Sequence, residues 1–99
     1  MSGVIVMKKI KNACVYPTSL KNERMFGEVV EDERFISGRI IQTSPVLKVD
    51  YDEKCIRTKN GTIYEYENIF SPDNYLDFCE KNYPKETFEY ISNCILNGI

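Results

Sequence analysis

No histidine occurs anywhere in the 99 residues. That excludes a histidine-based catalytic triad and any histidine-ligated metal site, and it removes the commonest general acid or base at neutral pH. Tryptophan is missing too. There is no Cys-x-x-Cys pair: Cys14, Cys55, Cys79 and Cys94 are irregularly spaced, and without histidine a zinc site would need all four together. No apolar run is long enough to span a membrane, and the opening "MSGVIVMKKIKNACVY" lacks the apolar stretch and cleavage site of a signal peptide. Met7 begins "MKKIKN", so the six residues before it read as an alternative start or an extension. These absences lead us to expect a cytoplasmic protein without cofactor, metal or membrane association. Its thiols should be reduced and buried as small apolar side chains.

What is present is ordinary for a single globular domain spanning residues 1–99: 42% apolar and 28% charged residues. The net charge is −2. A nucleic-acid binder usually carries a basic surplus, and this chain does not. With no catalytic constellation in view, the expectation is that it is not an enzyme.

Strand signals fill the region from about residue 4 to residue 70. Val4–Met7 and Ala13–Tyr16 each read as a first strand, Met25–Val30 as a strand containing a glycine, and Arg39–Thr43 as a β-branched strand before Pro45. After Phe70 the period changes. Ser71-Pro72-Asp73 is a helix start, with a capping hydroxyl, a proline in the first turn and an acid at the positive end of the dipole. Helices are expected over 72–83 and 85–97, separated at Pro84 and closed by Asn97-Gly98. The fold class is therefore α+β: an antiparallel β-meander, SH3-like or a partly open barrel, followed by two short C-terminal helices.

The stretch "KCIRTKNGTIYEY" (residues 54–66) carries the sharpest local signal. Asn60-Gly61 suits a two-residue type I′ turn. Taking Asp52-Glu53 as a second turn, though a poor pair for which a longer loop is an alternative, Val49 faces Ile56, Leu47 faces Thr58, and Thr58 faces Ile63. One face then collects Leu47, Val49, Ile56, Thr58 and Ile63; the other takes Lys48, Asp50, Cys55, Arg57, Lys59, Tyr64 and Tyr66. Tyrosine and arginine are favoured at binding hot spots, so Arg57, Lys59, Tyr64 and Tyr66 form the first candidate contact surface. Two alternatives stand beside it: Arg57 and Tyr64 stack on each other as a solvent-side pair, or the helices cover this face as a second core layer. Glu65 and Glu67, with Glu31, Asp32 and Glu33, form a candidate acidic patch, an ordinary charged surface being the alternative. Asp50-x-Asp52-Glu53 lacks the glycine and distant glutamate of a calcium loop and reads as a solvated turn. Cys55 near a cation has no histidine base to make it a nucleophile.

"RFISGRIIQTSPVLKVD…CIRTKNGTIYEY", covering about residues 34–66, resembles small bacterial and phage-encoded β-meander proteins. The shared features are a Phe-x-x-Gly turn (Phe35 to Gly38), a Thr-Ser-Pro bend (Thr43-Ser44-Pro45) and a hairpin ending Thr-x-x-Gly-x-x-Tyr (Thr58, Gly61, Tyr64). Small acidic domains of this sort resemble immunity proteins that neutralise toxin nucleases, and phage inhibitors of host defence. The resemblance implies a protein partner, with a nucleic-acid or small-ligand module as the alternative supported by Arg57, Lys59, Tyr64 and Tyr66.

Overall fold

The computed structural model describes residues 7–31, 39–43 and 45–99, with only the main chain of Glu31. Val4–Val6, the Phe35–Gly38 turn, Ser44, Asp32 and Glu33 lie outside the described residues. Seven strands come first: β1 (Met7–Pro17), β2 (Glu23–Glu31), β3 (Ile40–Gln42), β4 (Val46–Asp50), β5 (Cys55–Thr58), β6 (Ile63–Tyr66) and β7 (Ile69–Phe70). Two helices follow, α1 (Pro72–Asn82) and α2 (Lys85–Asn97). The class is α+β with a meander-like start.

The strands form one sheet in the order β3-β2-β1-β6-β5-β4, with β7 beside the C-terminal half of β1. The sheet is mixed rather than wholly antiparallel, because β1 pairs in parallel with β6 and then with β7. The change of partner happens at a bulge. Asn12 adopts φ 52, its N–H donates to the Asn68 side-chain oxygen at 2.9 Å, and the Asn68 amide donates back to the Asn12 side-chain oxygen at 3.0 Å. The extra residue returns Lys11 and Cys14 to the same face of the sheet.

Only residues 43–45 join β3 to β4, the two outermost strands. Five strand spacings of about 4.8 Å would set those strands roughly 24 Å apart in a flat sheet. The link with its two flanking bonds reaches about 14 Å at full extension. The sheet therefore curls, while β3 and β4 remain unpaired with each other. Its inner face closes on Ile10, Ala13, Met25, Ile56, Tyr64 and Tyr66.

The outer face carries a second core under the helices, built from Cys14, Tyr16, Phe26, Tyr75, Cys79, Ile91 and Cys94. The Tyr16 and Phe26 rings stack at 5.4 Å, and Phe26 meets Tyr75 at 6.4 Å. The caps follow the sequence signals. The Ser71 hydroxyl accepts from the Asn74 N–H at 3.4 Å, Pro72 sits in the first turn, and α2 ends at Gly98 with φ 66. The tail after α2 is fastened to the sheet: Tyr16 donates to the Ile99 carbonyl at 2.8 Å, Gln42 to the same oxygen at 3.1 Å, and the Ser19 N–H to the Gly98 carbonyl at 2.8 Å. Among the described residues no helix is long and apolar enough to cross a membrane.

Candidate binding surface

The β5–β6 hairpin departs from the expected register by one residue. The Gly61 N–H donates to the Thr58 carbonyl at 3.0 Å, so Lys59 and Asn60 occupy the centre of a β-turn. Gly61 follows with φ 91, while Asn60 does not have positive φ. This is a three-residue loop with a glycine bulge rather than a type I′ turn. Arg57 consequently pairs with Ile63, and Ile56 with Tyr64.

That single step inverts β6. Tyr64 and Tyr66, expected on the open face, point inward and are only 7% and 5% exposed. Ile63, expected inside, lies on the outer face across from Arg57. The physical reason is visible in Glu65. Side chains two apart share a face, so the two-residue turn would have sent Glu65 inward with Ile63. Burying an unpaired carboxylate costs several kcal/mol, on the order of what a single residue's packing contributes. Two buried tyrosines instead remove roughly 150–250 Å² each from water. The alternation around Glu65 is the sequence signal that would have found this register. Leu47 also departs from expectation: a bulge between Val46 and Lys48 leaves it 63% exposed, whereas Val49 does face Ile56.

The outer face therefore has two halves. The helices cover the half made by β2, β7 and the end of β1. Among the described residues nothing covers the half made by β4, β5, β6 and the start of β1. Pairing places Met7 beside Ile63, Lys9 beside Glu65, Arg57 beside Ile63 and Lys48, and Cys55 beside Glu65 and Asp50. A depression of about 320 Å³ opens there, lined by Met7, Lys48, Asp50, Glu53, Cys55, Arg57 and Ile63. At the border, the Lys11 ammonium lies 3.4 Å from one Glu28 oxygen, and the Tyr83 hydroxyl donates to the other at 3.0 Å. Of the expected surface, Arg57 is in the depression and Lys59 is exposed at the hairpin loop. Tyr64 and Tyr66 are behind it in the inner core. Glu31 ends β2, where its main chain is the ladder partner of Lys9 at the border of this surface. Glu65, expected in the acidic patch, lies on this face beside Cys55 and Lys9, and Lys48 lies beside Arg57 on the face where the sequence put it. Met7 and Lys9 were not singled out as contact residues, because their place depends on the parallel β1–β6 pair.

All four thiols are free. Burial pushes Cys14 up to about 12, with Cys79 beside it adding to the shift, and burial pushes Cys79 up to about 11. Cys55 is also raised, by partial desolvation first and then by the Glu65, Asp50 and Glu53 carboxylates. Anions surround it, so the cation effect that would create a nucleophile is absent here. Native-state alkylation followed by intact mass is expected to add one label, at Cys55, more slowly than a free thiol at pH 8 and faster as pH rises. Denaturation without reductant should then release the other three. Labelling of Cys14 or Cys79 in the folded protein would contradict the buried core.

No family of protein sequences, curated protein or solved structure matches the chain.

Proposed function

We propose that this is a small protein-binding domain that occludes a partner macromolecule with the uncovered half of its outer sheet face. The observation that carries this reading is the unequal cover: two helices shield one half of a continuous sheet face, and the other half presents a depression of mixed character. Apolar Met7 and Ile63 sit between Arg57, Lys48, Lys9 and the acidic Asp50, Glu53 and Glu65. That balance of charge favours a protein surface over a nucleic-acid backbone, which would call for a basic surplus.

The finer reading is an inhibitor of a cationic enzyme, most simply an immunity protein neutralising a toxin nuclease; a phage-encoded inhibitor of host defence is the alternative. Support comes from the helical end. Asp73, Asp77, Glu80, Glu86 and Glu89 are all exposed, against Lys81 and Lys85. An acidic end steers association with a cationic partner and raises its rate.

The test is capture from the host cell by the wild-type chain and by an Arg57→Glu/Lys48→Glu variant, then reconstitution of any differential partner from purified components. A stoichiometric complex that inhibits the partner, and that the variant forms at least about thirtyfold more weakly, is the expected result. Identical captures by the two chains would end the reading. So would tight binding of single-stranded DNA or RNA that the variant loses.

A further inference from the structure

The two edges of the sheet are treated differently. β4 carries the devices that discourage pairing with another chain: Pro45 precedes it, a bulge at Leu47 breaks its line, and Lys48 projects from it. β3 reads Ile40-Ile41-Gln42, with no proline, bulge or charge.

The ladder fixes which groups β3 leaves open. Its flanks bond β2 directly: the Val29 N–H donates to the Arg39 carbonyl at 2.8 Å, and the Thr43 N–H donates to the Met25 carbonyl at 2.9 Å. Antiparallel pairs alternate, so Ile41 also bonds β2, and the N–H and C=O of Ile40 and Gln42 point away from the sheet. Among the described residues nothing on that side pairs with them. Beside this edge a groove of about 550 Å³ runs between β3 and α2. Its floor is Phe26, Ile40 and Ile91, and its α2 wall presents Glu86, Thr87 and Tyr90. Tyr90 is 57% exposed and its hydroxyl donates to the Gln42 side-chain oxygen at 3.2 Å. Glu86 has no ion-pair partner among the described residues.

We propose that the β3 edge and the α2 wall form a docking site for an extended segment of a partner protein. The segment adds a further strand beside β3, sets an apolar side chain in the groove and places a basic residue beside Glu86. The open groups define the chemistry. Two donors and two acceptors repeat every second residue, about 6.8 Å apart, which is the spacing of a polypeptide main chain in the β conformation. The apolar floor lies on the side to which Ile40 and Gln42 project, so alternate residues of an added strand fall over it. The acidic wall selects for a cation. This site lies on a different part of the molecule from the uncovered half of the sheet and does not depend on that reading.

The first measurement is amide hydrogen exchange by NMR on the free protein. The Ile41 amide should be protected, and those of Ile40 and Gln42 should exchange quickly. The second is selection from a phage-displayed library of random octapeptides, with synthesis of the enriched sequences. Enriched peptides should alternate apolar and basic residues and should move the Ile40 and Gln42 amide resonances. N-methylation of their edge-facing amides should weaken them at least about tenfold. Thr87→Trp, which fills the groove from a half-buried helix position, should abolish binding while Arg57→Ala leaves it unchanged. Any of four results overturns the proposal: protection of Ile40 and Gln42 in the free protein, loss of their exchange through dimerisation, failure to enrich any peptide, or indifference to N-methylation.

Discussion

Gly98→Val is expected to destabilise the fold by about 3 kcal/mol or more, seen as a fall in Tm of roughly 15 °C. Two effects combine there. The residue is left-handed, with φ 66, where a side chain costs about 1–2 kcal/mol. A Cβ would also lie 2.7 Å from the Ser19 nitrogen and 3.2 Å from the Thr18 carbonyl carbon. Both are backbone atoms, which cannot swing aside, and overpacking of this kind adds about 1–3 kcal/mol. Gly61→Val is the control. Gly61 has φ 91, but a Cβ there would meet nothing within 4 Å, so it should show the backbone cost alone. Equal losses at the two positions would mean that the α2 terminus is not docked on the Thr18–Ser19 turn.

The second large effect separates the two faces of the hairpin. Tyr64→Ala should cost about 3–4 kcal/mol in denaturant unfolding, the usual scale for truncating a buried aromatic residue. Arg57→Ala, one pair away on the exposed face, should stay within about 0.5 kcal/mol of wild type. Burial also raises the Tyr64 phenol, so it should resist alkaline titration until the protein unfolds. Its contribution is present below the ordinary tyrosine range and is lost as pH climbs above it. A stable Tyr64→Ala variant that loses partner binding would restore the type I′ register and move the contact surface back to the tyrosines.

The helices were legible because their signals are local. Ser71, Pro72 and Gly98 each act within one turn of the chain, and the observed ends, Pro72–Asn82 and Lys85–Asn97, fall within a residue of the expected ones. The hairpin was legible as a hairpin but not in its phase. Asn-Gly serves both a two-residue loop and a three-residue loop with a glycine bulge, and the two differ by the one residue that turns Tyr64 and Tyr66 from outside to inside. One selecting signal is local, the charged Glu65 between the two tyrosines; the other is distant, since Tyr66 pairs with Ile10 on β1, a strand that no pattern within residues 54–66 contains. The uncovered half of the sheet was hidden for the same reason. Arg57 and Lys59 were visible as exposed cations, but Met7 and Lys9 join them only through the parallel pairing of β1 with β6. The Asn12 bulge, which divides β1 between two neighbours, depends on Asn68 and has no local signature.

The position of β1 has a consequence for biogenesis. It is the earliest described strand to leave the ribosome and it occupies the middle of the finished sheet. β2 can close on one of its sides as a local hairpin, but Met7 must await Ile63 on the other. At the usual pace of synthesis, roughly 5–20 residues per second, that side stays bare for seconds. A bare strand edge is an invitation to pair with another nascent chain. Lys9 and Lys11, which project from the waiting strand onto the face that the helices leave open, give it like charge during that interval and so favour completion by its own β6 over capture by a neighbour.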